Sequence, residues 1–218
     1  MTGDGTARAG PARNRVTPLG EVVAAPGRGT LMGNRGRLHD GEGSRDVRRH
    51  HVGRAWITCL LDFRGRRVAQ WHPHRYTPLF FLDEPLALAA GHRPCAECRR
   101  ADFTRFSDLV VAAHGGAHLS APDLDRLLHD ERWDAARRTR RLHAYAWDDL
   151  PDGAFVVVGA GPAQVVGGTL RVWQPDNSYA AVTLPRPGAG TASVLTPPSS
   201  LAALRTGYAR PSSSSENA

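Results

Sequence analysis

Two cysteines two residues apart, Cys95 and Cys98 in the segment 91-GHRPCAECRR-100, constrain the fold of this chain more than any other feature. Two thiolates at this spacing, together with the backbone amides between them, can wrap one tetrahedral metal ion. The chain has only one further cysteine, Cys59. Three is an odd number, which argues against a disulfide framework and favours metal binding or free thiols. We therefore expect a metal site that includes Cys95 and Cys98.

Two other interpretations of the pair remain open. A redox Cys-x-x-Cys motif begins a helix that follows a strand, whereas a short helix and a glycine are predicted before this one. The pair can also be two unconnected buried thiols. Cys59 is likewise either a metal ligand or a buried strand residue, because free cysteine is among the most buried residue types.

The charge of the chain suits a polyanionic partner such as nucleic acid. The net charge is +7 and the pI is near 10.3, and a basic balance of this kind attracts phosphate. All 28 basic residues are arginine, which also fits the coding bias of a GC-rich genome. No apolar run approaches the roughly 18 to 20 residues that cross a bilayer, and no signal peptide is evident, so we expect a cytoplasmic protein without a membrane partner.

Apolar runs and turn residues predict an α+β chain with three ordered parts between two disordered tails. The predicted parts are a tail at 1–14, a domain at 15–118 that carries the cysteines, a helical segment at 119–144, a β-rich C-terminal module at 145–208 and a tail at 209–218.

Around the cysteines we expect a hairpin followed by two helices. Runs at 55–63 and 66–71 flank Arg-Gly and predict the hairpin, with Cys59 in its first strand. A helix is predicted at 84–90, with Asp83 as its N-cap, and a second helix runs from about residue 95 to 113.

A third helix is predicted at 121–141, capped by Ser120. Its end, 132–141, is rich in arginine. Cations are favoured at a helix C-terminus, so we expect a solvated helix end in preference to a phosphate-binding surface.

The run 79-LFFLDEPLALAAGHRPCAECRR-100 resembles the second half of the zinc-binding N-terminal domain of the Ada family of alkylation-response proteins. The matching positions are Phe80, Phe81, Ala89, Ala90, Gly91, Arg93, Pro94, Cys95, Cys98 and Arg99. The resemblance extends over 56–100 if the strand with Cys59 carries an earlier ligand. It implies a small α/β zinc module, Zn²⁺ as cofactor, Cys59 as a third ligand and contact with the DNA backbone.

The chain departs from that family upstream. The family has two upstream cysteines separated by three residues, one of which accepts methyl groups from DNA phosphotriesters. Here only Cys59 is present and position 63 is Phe, so the methyl-transfer activity does not carry over. Thiolate-rich zinc sites accept histidine as a fourth ligand. We expect His74 or His72 first, because both precede the Phe80 strand, and His39 second.

The sequence thus predicts a zinc-binding, DNA-associated protein with a structural Cys3His site, in which Arg75, Arg93, Arg99 and Arg100 meet backbone phosphates. One alternative is a metal-dependent enzyme, nuclease-like or a transferase, that uses the zinc site or the His50 and His51 tract; no catalytic residue is assigned. A second alternative is a protein-interaction scaffold whose basicity is only genomic bias.

Overall fold

The computed structural model describes residues 10–40, 45–66, 71–159 and 161–208. Within these residues the chain mixes helices and strands, which confirms the predicted α+β class. The helices are α1 (Glu84–Ala89), α2 (Arg100–Ala113), α3 (Ala121–Arg132) and α4 (Pro198–Arg205), with a short 3-10 helix at Trp147–Asp149. None of the helices in this described part is long and apolar enough to span a membrane.

A six-stranded mixed sheet carries the cysteines. Its strands are β1 (Arg13–Val16), β2 (Val22–Ala24), β3 (Leu31–Asn34), β4 (Ile57–Cys59), β5 (Leu79–Phe81) and β6 (Arg93–Pro94), in the order β2-β1-β5-β3-β4-β6. Apolar side chains of β5, Leu79 and Phe81, are completely buried. The pairs β1–β5 and β4–β6 are parallel and the others are antiparallel. The β4–β6 pairing therefore places the ends of these two strands side by side.

The C-terminal half contains a hairpin and a second sheet. The hairpin is β7 (Trp133–Asp134) with β8 (Thr139–Arg140). The sheet consists of β9 (His143–Ala146), β10 (Phe155–Val158), β11 (Gly161–Val166), β12 (Thr169–Gln174), β13 (Ser178–Tyr179), β14 (Leu184–Pro185) and β15 (Thr191–Val194). Its order is β13-β12-β11-β10-β15-β9, and β14 also pairs with β12.

The two sheets share a hydrophobic core. Phe81 and Leu86, from β5 and α1, belong to the same buried cluster as Phe155, Trp173 and Leu195 from the second half of the chain. A separate cluster joins α2, α3 and α4. Burial of one such side chain contributes about 1.5–3 kcal/mol, so residues 145–208 stabilise the part that carries the cysteines.

Several predicted elements are confirmed. Asp83 caps α1, since its carboxylate accepts from the Leu86 N–H at 2.9 Å, and the Ser120 hydroxyl accepts from the Asp123 N–H at the start of α3. The second helix is present and ends at Ala113, but it begins at Arg100 and not at about residue 95 as predicted, because a turn that contains the Cys-x-x-Cys residues precedes it.

Two further predicted boundaries are wrong, the end of the third helix and the end of the N-terminal tail. The helix predicted at 121–141 ends at Arg132 and the chain continues into the β7–β8 hairpin. The physical reason is that Arg132 is buried and the guanidinium of Arg140 reaches the interior, where both bond to backbone carbonyls. The N-terminal tail predicted to extend to residue 14 ends earlier, because β1 begins at Arg13.

Other predictions lie partly outside the described residues. These include the rest of the N-terminal tail, the C-terminal tail from residue 209, and most of the second hairpin strand predicted at 66–71. The first strand of that hairpin is present as β4, and it pairs with β3 and β6.

Candidate metal centre

Three thiols from two distant segments meet at the end of the β4–β6 pair. Thr58 lies opposite Pro94 in the parallel register, so the next residues, Cys59 and Cys95, are neighbours. The Cys95 N–H donates to the Thr58 carbonyl at 2.8 Å, which fixes this juxtaposition. Cys98 follows in the turn before α2. The three Sγ atoms all lie within 4.8 Å of one another.

This spacing fits a single metal ion. With Zn–S bonds of about 2.3 Å, tetrahedral geometry separates two sulfur ligands by about 3.8 Å. Three thiolates are also a soft donor set, which selects Zn²⁺ or another thiophilic ion over Mg²⁺ or Ca²⁺. Cys59, Cys95 and Cys98 thus lie close together, where they can bind a metal.

Cys95 has the lowest pKa of the three thiols, so it is the first of them to become a thiolate. A hydrogen bond from the Cys59 thiol, supported by the backbone N–H groups of Cys98 and Glu97, lowers the pKa of Cys95 to about 5. The Glu97 N–H lies 3.4 Å from the Cys95 Sγ. The same hydrogen bond, together with burial, raises the pKa of Cys59. Binding of a cation would favour all three thiolates at the expense of their protons.

A hollow of about 90 Å³ lies against the three sulfurs and includes Tyr76, Phe63 and Arg66 among its lining residues. It has room for a water molecule. Burial and the neighbouring cysteines raise the pKa of Tyr76, so its hydroxyl stays protonated. At the rim, Arg66 forms an exposed ion pair with Glu97 at 2.6 Å.

The histidines predicted as fourth ligand lie elsewhere in the described part of the chain, where no histidine joins the three-thiol group. Both ring nitrogens of His39 are engaged: Nδ1 lies 2.6 Å from the Thr77 hydroxyl and Nε2 lies 3.1 Å from the His72 carbonyl. His72 accepts at Nδ1 from the His74 N–H. A histidine as fourth ligand therefore stays a prediction, and His39 would have to give up two hydrogen bonds to serve.

Two of the four arginines predicted to meet phosphates have internal partners instead. Arg93 makes a two-pronged contact with Asp125, at 2.7 and 2.9 Å, and is 5 % exposed. Arg99 is also buried and pairs with Glu84 and Asp102. These guanidiniums neutralise carboxylates of the fold and do not face solvent. The other two, Arg75 and Arg100, are exposed.

A second cluster of polar side chains surrounds the indole of Trp56. His50 stacks on Trp133 with ring centroids 4.5 Å apart, and its Nδ1 lies 2.9 Å from the Nδ1 of His51. Burial, reinforced by nearby arginines, lowers the pKa of His50 to about 3, and similar causes lower that of His129 to about 4. These imidazoles are neutral at pH 7.

Behind His50 and His51 lie three arginines, Arg35, Arg132 and Arg140. Arg132 and Arg140 belong to the arginine-rich stretch 132–141 that the sequence predicts as a solvated helix end. That prediction is wrong for these two residues, because Arg132 and the guanidinium nitrogens Nε and Nη1 of Arg140 are buried. Arg35 has no sequence signal that separates it from the exposed arginines.

Comparison of the chain with protein-family models, with curated proteins and with solved structures finds no match.

Proposed function

We propose that this chain is a zinc-binding, DNA-associated protein whose metal ion is structural. The observation that carries the proposal is the approach of Cys59, Cys95 and Cys98 to within 4.8 Å of one another. The ion would tie the end of β4 to the turn before α2, and a structural zinc contributes folding free energy directly.

An Ada-type zinc module is part of this proposal. Its support is the order of elements: a strand that ends in a cysteine, a short capped helix, and a Cys-x-x-Cys turn that leads into a longer helix. Methyl transfer is not part of it, because the residue four positions after Cys59 is Phe63.

The association with DNA is supported by charge and exposure. The chain carries a net charge of +7. Arg75, between Cys59 and Cys95 in sequence, and Arg100, two residues after Cys98, are exposed. Such side chains neutralise phosphates without reading bases.

Metal analysis and a salt titration test the two parts separately. One zinc per chain in the purified protein, lost in Cys95→Ser, supports the metal centre. Affinity for a DNA duplex that falls steeply between ~50 and ~200 mM salt supports phosphate contacts. Zinc content far below one per chain, or no duplex binding at ~50 mM salt, contradicts the corresponding part.

A metal-dependent enzyme is a second candidate, and the hollow beside the sulfurs favours it. Catalytic zinc sites keep three protein ligands and an open position, and in the described part of the chain the group contains three thiols and no further ligand. Hydrolysis of an activated phosphodiester that is abolished by a chelator and restored by Zn²⁺ would support this candidate. A zinc-loaded protein without such activity favours the structural role.

A further inference from the structure

Buried arginines in this protein fall into two groups. Arg93 and Arg99 lie against carboxylates, at 2.7 Å and 2.5 Å respectively. Arg35, Arg132 and Arg140 make no ion pair with a carboxylate in the part of the chain that the structure describes. A buried charge without a partner costs several kcal/mol. The described part of the fold thus supplies direct ion-pair partners for one group of arginines and none for the other, although the carboxylates of Asp125 and Glu131 act on Arg132 at longer range.

The three arginines without an ion pair lie close enough to repel one another. Arg35 is 0 % exposed and Arg132 is 1 % exposed, and their guanidinium carbons lie 3.9 and 4.1 Å from the Trp56 ring centroid. Burial, together with the charges of Arg132 and Arg140, lowers the pKa of Arg35 well below its usual value. Burial alone lowers the pKa of Arg140 to about 9.

Backbone carbonyls satisfy these guanidiniums only in part. Arg35 donates to the Gly20 carbonyl at 2.7 Å, and Arg132 donates to the Gly91 carbonyl at 2.8 Å. Within the described residues, the buried nitrogens without a hydrogen-bond partner include Nη2 of Arg35, Nε of Arg132, Nε and Nη1 of Arg140, and Nδ1 of His92. Buried donors in native proteins are nearly always satisfied by protein, water or ligand.

Two of these free donors converge at Gly20. A Cβ placed on that glycine would lie 3.7 Å from both Arg35 Nη2 and Arg140 Nη1. Gly20 has a φ of +85°, a backbone conformation that side-chain-bearing residues rarely adopt. The space between the two guanidiniums is therefore kept free of side-chain atoms on this side. We name the site formed by Gly20, Arg35, His92, Arg132 and Arg140 the arginine pocket.

His50 connects the arginine pocket with the surface. Its Nε2 lies 3.4 Å from Arg35 Nη1, and it lines two surface hollows of about 390 and 420 Å³. Arg48 and Arg49 line both hollows as well. Arg48 pairs with Asp40 and Asp46, and Arg49 pairs with Asp40. Glu21 lines the smaller hollow. A phosphate would compete with these carboxylates, and exposed ion pairs of this kind are weak.

We propose that the arginine pocket binds a terminal phosphoryl group, a dianionic phosphate monoester that enters past His50. Two charges on one tetrahedral group offset more of the three clustered cations than a phosphodiester or a carboxylate, which carry one. Guanidinium N–H donors match phosphate oxygens in geometry and strength. The residues of the arginine pocket line neither hollow, so the phosphoryl group has to reach them past His50. An approach from one side suits a chain end or a small ester, because a continuous nucleic-acid backbone would have to leave again.

Two kinds of ligand carry such a terminal phosphoryl group: a small phosphate ester and a nucleic acid with a 5′-phosphate. The following experiment distinguishes them. Isothermal titration of the full-length chain uses inorganic phosphate, a nucleoside monophosphate, and a short oligonucleotide with or without a 5′-phosphate. All titrations are run at one ionic strength, set with NaCl. We expect saturable 1:1 binding of inorganic phosphate. A preference for the phosphorylated over the unphosphorylated oligonucleotide identifies a nucleic-acid end, and binding of the mononucleotide alone identifies a small ester.

Arg140→Gln removes free donors and one cation, and we expect it to weaken phosphate binding roughly tenfold or more, as loss of a hydrogen bond to a charged group does. Arg105→Gln, at an exposed position of α2 with no role in the proposed phosphate contacts, is the matched control and should bind phosphate like the wild type. If Arg140→Gln fails to fold, Arg35→Lys, which keeps the charge and removes the free Nη2, takes its place.

The wild-type titration decides the proposal whatever the variants do. Absence of saturable phosphate binding at ~10 mM ligand overturns it, as does binding that both pocket variants retain in full. Salt-dependent duplex binding without phosphate binding would contradict only the proposed phosphate site in the arginine pocket and would still support the proposed DNA association. Zinc content bears on neither result, because the pocket contains none of the three cysteines.

Discussion

At the residue scale, the sequence leaves two roles open for Cys59, a metal ligand or a buried strand residue. The structure brings Cys59 close to Cys95 and Cys98. As a ligand, it cannot be replaced by serine, whose hydroxyl is a poor donor to Zn²⁺ in a thiolate site. We expect Cys59→Ser to lower zinc well below one per chain and the melting temperature by several degrees. Plasma emission spectrometry and thermal unfolding measure both. Leu60→Ser, at the exposed neighbouring position, should retain zinc. Full zinc content in Cys59→Ser would make Cys59 a core residue only.

Also at the residue scale, the histidines around Trp56 predict how stability varies with pH. In the folded protein the pKa of His50 is about 3 and that of His129 about 4, below the usual 6.5 of an unfolded chain. At a pH between the folded and the unfolded pKa, the unfolded chain binds more protons than the folded protein. The free energy of unfolding therefore falls as pH falls below about 6.5. Urea unfolding at pH 7 and pH 5 measures this loss. His129→Gln should lose less stability over the same interval than the wild type, and an equal or greater loss contradicts the assignment.

The residue-level predictions from sequence succeeded where spacing along the chain decides the outcome. Cys95 and Cys98 share a turn, so two residues of separation are enough to bring them together. Spacing alone could not place Cys59 beside the other two cysteines, because its proximity to them depends on the parallel β4–β6 register. Only the resemblance to the Ada family predicted it. Arg93 and Arg35 look alike in sequence. Only the fold shows that Asp125 pairs with Arg93, whereas no carboxylate of the described residues pairs with Arg35.

At the element scale, capping gives the most direct prediction. The Ser120 hydroxyl accepts from the Asp123 N–H and donates to the Asp123 carboxylate at 2.5 Å. Ser120→Ala should therefore destabilise the protein by about 1 kcal/mol, the usual cost of losing an N-cap. Ser107→Ala, inside α2, is the matched control and should be neutral or slightly stabilising, because alanine has the higher helix propensity. Chemical denaturation compares the two. Equal effects of the two substitutions would mean that the cap contributes nothing.

Elements whose ends are set by local signals were predictable. The cap of α1 follows from Asp83 and Pro85, whose backbone preferences act within one turn. The end of α3 at Arg132 was not, because tertiary contacts of buried guanidiniums override the helical pattern that continues in the sequence. Strand β15 lies inside the predicted β-rich module, but nothing local marks its bounds: 191-TASV-194 alternates polar and apolar residues over only four positions. Its pairing with β9 and β10 supplies the stability.

At the scale of the whole molecule, the two sheets share one buried cluster, which couples the metal centre to the C-terminal half. Phe155 of β10 is completely buried in the cluster that contains Phe81 and Leu86. Phe155→Ala should cost about 3–5 kcal/mol, as removal of a buried aromatic ring does, and it should destabilise both sheets together. Tryptophan fluorescence, which reports on both halves, and far-ultraviolet circular dichroism should then give the same lowered midpoint.

Val182→Ala is the control for this prediction, because Val182 is 76 % exposed and truncation at the surface changes stability by less than ~0.5 kcal/mol. If the shared cluster couples the halves, chelation of zinc should lower the midpoint seen by every probe, since loss of an ion at β4 propagates through β5 and α1 to β10. Two separate transitions in Phe155→Ala, with the half that carries the three cysteines melting at the wild-type midpoint, would show that the sheets fold independently and that the contact between them adds little to the stability of the cysteine site.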